Sequence, residues 1–374
     1  MSRKRLIIII IITIAVLFLG LVAYLIYSFF STSVTPPPSQ PSVSTTPTPS
    51  PQVPSNLPSK ISLVSQYPAI NYNILSSGNI IYVDASGTIR EINQNQESIL
   101  YSASSSIIDA KISNDGQEVI IKTAPYSYLL INTSSTTVTP LNALGRIESL
   151  AFSPTTSTQI AILKNNGASS ELDVINFSSK TTKITQIASF AEQDYRVYWP
   201  YQNTIYLVQK PSAWAWGSAL SFNTVNKTVN IFAANIPGLI LKFLPNNQVL
   251  EFSANLPTAR GGFLNLFSQT GQKINSFSFL TLPSKCTFNQ NSSSTLFCAI
   301  PRGNDFAKAV LPDSYLMKAL YTTDDVEAIN LKDGNFHIIF NDPLEYYDMN
   351  DLQFFGGNIY FINRYDQKIY KLAL

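Results

Sequence analysis

The chain has 374 residues, of which 45% are hydrophobic and 13% charged, with a net charge of +2, one histidine and two cysteines. Three of the 25 basic residues stand at positions 3–5 and no acidic residue precedes Lys60, so the chain from Lys60 onward carries 22 basic against 23 acidic residues. A near-neutral surface of that kind excludes nucleic-acid binding driven by phosphate neutralisation, and no cofactor fingerprint, metal-ligand spacing or nucleophile elbow occurs anywhere in the chain.

The first predicted element is a helix. Behind Arg3, Lys4 and Arg5, the run from Leu6 to Phe30 contains no charged residue. At a rise of ~1.5 Å per residue it would be roughly 37 Å long, enough to cross a ~30 Å hydrocarbon layer with some tilt. The basic cluster marks the cytoplasmic side and sends everything after Phe30 across the membrane. A cleaved signal peptide is the alternative, but its apolar core is normally only ~7–15 residues long. Residues 1–30 are therefore expected to form a cytoplasmic tip and a retained single-span anchor, in a single-pass membrane protein with an extracytoplasmic domain.

Residues 31–59 contain Pro, Ser and Thr in abundance and no charge. Such a segment cannot bury a core and favours extended polyproline II, so a disordered stalk is expected there.

From Lys60 onward the chain repeats itself. Short β-rich runs follow turn residues at 79–84, 118–122, 159–163, 204–209, 248–252, 295–299 and 358–362, with start-to-start spacings of 39, 41, 45, 44, 47 and 63. Each is preceded by one strand-like run, such as IDAKIS (108–113) or SKCTFN (284–289), and followed by another, such as SYLLIN or ELDVIN. Four of the following runs end in Asn93, Asn132, Asn176 and Asn330, a residue whose side chain caps tight turns. A fourth run completes six units, ESILYS to FHIIFN. The last unit lacks it, and KISLVS (60–65) is free to supply it from the other end and so close a ring and cover an exposed edge. A period of 40–50 residues with four strands per unit is the mark of a β-propeller. The expected fold is all-β, a seven-bladed β-propeller over 60–374, with six or eight blades as alternatives.

Segments such as ISNDGQEVIIK (112–122) and LAFSPTTSTQIAIL (150–163) resemble the repeat core of TolB-type and WD-repeat-like propellers, in which a Ser-Pro-Asp-Gly-like turn joins the first two strands. The Trp-Asp and Gly-His pairs of true WD repeats are absent. The resemblance implies a scaffold or binding domain on the envelope side of a membrane.

Candidate chemistry is sparse. His337 lies within the strand-like FHIIF, which leaves Ser-His-Asp catalysis and metal hydrolysis without a base. Asp324 and Asp325 lie just before a strand, and Asp342, Glu345, Asp348 and Asp351 surround Tyr346 and Tyr347; they read as solvated loop charge, with paired-carboxylate glycoside hydrolysis as the alternative. Cys286 and Cys298 flank a polar turn on neighbouring strands, so a disulfide is expected, two free buried thiols being the alternative.

The connections between second and third strands lengthen along the chain, to 210–218, 255–262 and 301–325, with a short helix expected in 312–321. Long loops on one face of a rigid scaffold are where binding function collects. Trp214 and Trp216 in the first of them, with Arg260, Arg302, Asp305 and Lys308 in the others, form the candidate binding face. The alternative for the tryptophans is packing over a neighbouring blade. No cofactor and no metal are expected. The expected function is a non-catalytic module for an envelope protein or polysaccharide; a glycan-active enzyme and a self-associating envelope component are the alternatives.

Overall fold

The structure, a computed structural model, describes residues 60–103, 106–177, 182–191, 194–289 and 294–374. The expected anchor and stalk lie outside them. Among the described residues no helix is long and apolar enough to cross a membrane.

Twenty-eight strands of the described residues form seven four-stranded antiparallel sheets. The first strand, β1 (Ile61–Leu63), stands apart from those that follow it. Blade 1 is β2 (Ala69–Ile74), β3 (Ile80–Asp84), β4 (Thr88–Asn93) and β5 (Gln96–Ser102); blade 2 is β6 (Asp109–Ile112), β7 (Glu118–Ala124), β8 (Ser127–Asn132) and β9 (Val138–Pro140). Blade 3 is β10 (Ile147–Phe152), β11 (Gln159–Asn165), β12 (Ser170–Asn176) and β13 (Lys183–Phe190); blade 4 is β14 (Tyr195–Tyr201), β15 (Thr204–Gln209), β16 (Trp216–Asn223) and β17 (Val229–Pro237). Blade 5 is β18 (Ile240–Phe243), β19 (Gln248–Ala254), β20 (Gly262–Ser268) and β21 (Lys273–Ser276); blade 6 is β22 (Cys286–Phe288), β23 (Thr295–Pro301), β24 (Asp324–Asn330) and β25 (Phe336–Phe340). Blade 7 has only β26 (Met349–Phe355), β27 (Asn358–Asn363) and β28 (Ile369–Ala373) from the C-terminal end, and β1 fills its fourth place. Ile61 pairs with Leu372 and Leu63 with Tyr370, and the Ala373 N–H donates to Lys60 O at 3.0 Å.

The burial pattern explains why the second strands read most clearly. In β3 all five residues are buried, and β11, β15, β19 and β23 each carry an unbroken buried run of four. Such strands face a neighbouring blade on both sides, so their apolar runs are continuous rather than alternating. The outer strands are mostly exposed, as in β9 and β21. Hydrophobic clusters occupy each of the seven junctions between adjacent blades, including Ile362 and Ile369 of blade 7 against Tyr72, Ile80 and Tyr82 of blade 1. Each fully buried Ile, Leu or Phe contributes about 1.5–3 kcal/mol, so the junctions, not the isolated sheets, hold the ring together.

The asparagine turns form as their chemistry dictates at several places. Asn132 Oδ1 accepts from the N–H groups of Ser134 and Ser135, and Asn330 Oδ1 from that of Lys332. Asn93 differs: it leads a two-residue hairpin in which Gln94 and Asn95 take φ of 50° and 66°, the doubly left-handed turn that matches strand twist.

Two expectations shift. The run 284–289 is not a strand throughout, because Pro283–Lys285 form a 3-10 turn before β22. The region 301–323 contains two short helices, α1 (Asp305–Lys308) and α2 (Asp313–Leu316), the second shorter than the expected 312–321. Cys286 pairs directly with Cys298 across β22 and β23, and the two form a disulfide.

Candidate binding platform

Because successive strands run antiparallel, the links from second to third strands and the links between blades emerge at one end of the sheets. The long connections 210–215, 255–261 and 302–323, from blades 4, 5 and 6, therefore gather at that end. They bury a core of their own: Ala213, Ala259, Phe306, Leu311 and Tyr315 pack on Phe252 and Leu282 beneath them. Backbone bonds join them too, with Gly261 N–H donating to Ala309 O and Leu311 N–H to Ala259 O, each at 3.0 Å.

Asp313, at the start of α2, fastens the blade 4 loop to the blade 6 insertion. Its carboxylate accepts from the Ala213 N–H at 2.9 Å and from the Ser212 hydroxyl at 3.2 Å. Gly238 completes the joint. It takes φ of +64°, and a Cβ there would sit 2.9 Å from both Ala254 Cβ and Pro312 Cδ, so only glycine lets the insertion approach the link between blades 4 and 5.

On this fixed base Trp214 and Trp216 are 64% and 61% exposed. Neither is buried over a neighbouring blade. Trp214 stands in the turn closed by Ala215 N–H to Ser212 O, whereas Trp216 is the first residue of β16, paired with Pro237, and not a loop residue. Leu316 and Met317, at the end of α2, are also exposed, the latter by 73%. The sequence reading did not single out Asp313, Leu316 or Met317; the only local signal was a proline–aspartate pair ahead of a helical turn.

The charged candidates divide. Arg260 is exposed and its backbone bridges to Val310, while Asp305 and Lys308 are exposed on α1 with no ion pair among the described residues. Arg302 is not free for a partner: its Nε lies 2.5 Å from Asp325 Oδ1 and both side chains are mostly covered. His337 is exposed on the outer strand β25.

The acidic cluster requires a correction. Asp324 and Asp348 are not solvated loop charge; both side chains, and that of Lys285, are fully buried. Lys285 Nζ donates to Asp324 Oδ2 at 2.6 Å, Asp348 Oδ1 at 2.7 Å, Thr322 Oγ1 at 3.0 Å and Met349 O at 3.1 Å. Arg364 Nη1 donates to Asp348 Oδ2 at 2.7 Å, and its guanidinium stacks on the Tyr315 ring at 3.7 Å. The Tyr315 hydroxyl donates to Asp348 Oδ1 at 2.9 Å. Two cations thus face two anions, and the set ties the insertion to the junction of blades 6 and 7.

Burial opposes the charge on Lys285, but Asp324, Tyr315 and Asp348 together hold its pKa above the ordinary lysine value. Burial likewise pushes Asp348 up, yet Lys285, Arg364 and the Thr322 N–H hold it below the usual carboxylate value. For Asp324, burial outweighs the pull of Lys285 and raises it. A pair of carboxylates so enclosed has no path to a glycosidic bond. Asp351 lies apart on the inner strand β26 at φ 53°, and burial raises its pKa against the pull of Lys242 and Lys111. Among the described residues no three His, Cys, Asp or Glu side chains converge as a metal site.

No protein-family model matches the chain, and no curated protein is significantly similar to it in sequence. Solved structures match its fold. The Cps50 (Swd1) β-propeller domain of Myceliophteria thermophila is 7% identical, with 84% of this chain and 99% of that one covered at a TM-score of 0.55. An oligogalacturonate lyase of Vibrio parahaemolyticus is 8% identical over 83% and 92% of the two chains at 0.57. An oligogalacturonate lyase in complex with manganese is 8% identical over 84% and 93% at 0.55. At these identities the likeness is one of fold, and the fold is the seven-bladed β-propeller.

Proposed function

We propose that the protein is a membrane-tethered, extracytoplasmic scaffold whose long-loop platform binds a protein of the cell envelope. The observation that carries this reading is the pair Trp214 and Trp216, each more than 60% exposed, the first on a loop fastened by Asp313 over its own buried core and the second at the start of β16. Tryptophan brings 150–250 Å² of contact area, and it is enriched among the few residues that dominate binding energy. A loop fixed before binding loses little entropy on contact.

The test is photo-crosslinking from position 317 in native membranes, with the Trp214→Ala/Trp216→Ala chain beside it. One discrete adduct that disappears in the double variant is expected. The same adduct at undiminished yield would overturn the platform. Alkaline extraction and protease protection of the same membranes test the tether, which rests on the uncharged run Leu6–Phe30.

A glycan-active enzyme is the second reading, favoured by the two lyases among the structural neighbours. Burial of Asp324 and Asp348 under Lys285 weighs against paired-carboxylate chemistry at that place. Turnover of oligogalacturonate or of a neutral glycan panel by the full-length chain would favour this reading over the scaffold.

A further inference from the structure

The other end of the sheets, where first–second and third–fourth strand turns emerge, carries two cavities. One of about 560 Å³ lies between blades 4 and 5. The second, of about 280 Å³, lies between blades 3 and 4. They flank the same two turns of blade 4: Asn203 and Thr224 line the smaller cavity, and their chain neighbours Thr204 and Asn223 the larger. The larger volume falls within the ~300–1,000 Å³ usual for small-ligand sites.

The lining has an unusual composition. Neither cavity is lined by a single Asp, Glu, Lys, Arg or His. The larger presents the amides of Asn223, Asn226, Asn230 and Gln269 beside the rings of Tyr206 and Phe232. The smaller adds Gln159, Gln202 and Asn203 beside Trp199. Much of this polar capacity is unspent on the fold. Asn223 Oδ1 accepts from the N–H groups of Val225 and Asn226, and Asn226 Oδ1 from Thr228, which leaves both amide NH2 groups for a ligand. The side chains of Asn230 and Gln269 make no hydrogen bond among the described residues.

A side-chain amide offers two donors and an acceptor in one plane, which suits neighbouring sugar hydroxyls that each donate and accept. Of the rings in the lining Phe232 is partly exposed and can take the C–H surface of a pyranose ring, while Tyr206 and Trp199 are buried and form the walls behind it. The lining also selects by what it lacks. No cation is present to compensate a phosphate or uronate, and no carboxylate to hold an amine, so a charged ligand would be desolvated without a partner.

We propose that this side of blades 3–5 is a binding groove for a neutral oligosaccharide, which passes the turns of blade 4 from one cavity to the other. The groove is at the opposite end of the sheets from the tryptophan platform and does not depend on it.

The chain has three tryptophans, so replacing Trp214 and Trp216 by Phe leaves Trp199, buried in the wall of the smaller cavity, as sole reporter. The full-length W214F/W216F chain, in a detergent without a sugar headgroup, is titrated with neutral hexasaccharides of glucose, mannose, galactose, xylose and N-acetylglucosamine, and with hexagalacturonate. At least one neutral glycan is expected to shift Trp199 emission saturably, and hexagalacturonate to give no change. Asn230→Ala/Gln269→Ala, which removes no bond of the fold, is expected to weaken binding at least tenfold without moving the thermal transition. Asn230→Asp, equal in shape but charged, serves as the second variant and is expected to weaken it likewise. Silence toward every neutral glycan at millimolar concentration, equal binding of hexagalacturonate, or undiminished binding by both variants would overturn the groove.

Discussion

Replacing Lys285 by Met keeps the aliphatic stem and removes one buried charge. Asp348 keeps Arg364 at 2.7 Å and the Tyr315 hydroxyl at 2.9 Å, so its anion remains compensated. Asp324 keeps only neutral donors, the Thr322 hydroxyl at 2.8 Å and the Met349 N–H at 2.7 Å. Removing one partner of a buried pair typically costs about 3–5 kcal/mol, and that is the loss expected at pH 7.

The sign of its pH dependence follows. Without the ammonium, burial raises the folded-state pKa of Asp324 further above its ordinary 3.8. The folded variant then takes up a proton before the unfolded chain does, so its stability rises as pH falls from 7 toward 4, by at most ~1.4 kcal/mol per pH unit. In the wild type the Lys285 pKa is raised, so its contribution is fully present below 10.5 and is lost only as pH rises through the folded value. The difference between the two proteins should therefore shrink on the acid side and stay constant from neutral pH to about pH 10. Urea denaturation followed by Trp199 emission reads both, in the W214F/W216F background. Adding Asp324→Asn to the variant should restore part of the loss. A cost below about 1 kcal/mol at pH 7, or one that does not change between pH 7 and pH 4, would refute the electrostatic account of the network.

Three further outcomes are expected. Asp313→Ala removes two hydrogen bonds to a carboxylate, costs about 1.5–3 kcal/mol, and raises the hydrogen-exchange rate of the Ala213 amide more than that of β19; equal exchange would mean that packing alone fixes the loop. Cys286→Ala/Cys298→Ala opens a short loop and lowers stability by about 2–4 kcal/mol, read as a fall in the urea midpoint. Gly262→Ala places a Cβ 2.4 Å from Ser253 O and 2.5 Å from the Phe252 ring, under the platform core, so a drop in melting temperature is expected that exceeds the drop of Gly303→Ala, where the only strain is a φ of +71°.

The ring was legible because its information is local and repeated. Strands such as β15 carry an unbroken buried run, Ile-Tyr-Leu-Val at 205–208, and the outer strand missing from the last unit directs attention to 60–65. The platform was legible in part. Loop length and composition pointed to Trp214 and Trp216, since a loop that carries two tryptophans between a proline and a glycine is noticeable in any strand-rich chain. The ionic network was not, and the reason is physical. Lys285 meets Asp324 and Asp348 across separations of 39 and 63 residues, and their burial depends on an insertion folding over them. Nothing in the local sequence separates an aspartate beneath such a cover from one in water.

The closure of blade 7 has a mechanical consequence. Lys60 O accepts from Ala373 N–H, so the first and last described strands lie side by side at the rim. A force applied to the chain at Lys60 falls first on a three-residue strand, and loads the outermost edge before any inner one. The same adjacency means that a short linker from Leu374 to Lys60, in a chain without residues 1–59, would convert the ring into a covalent circle, which can then be opened at any of the seven links between blades without loss of a blade.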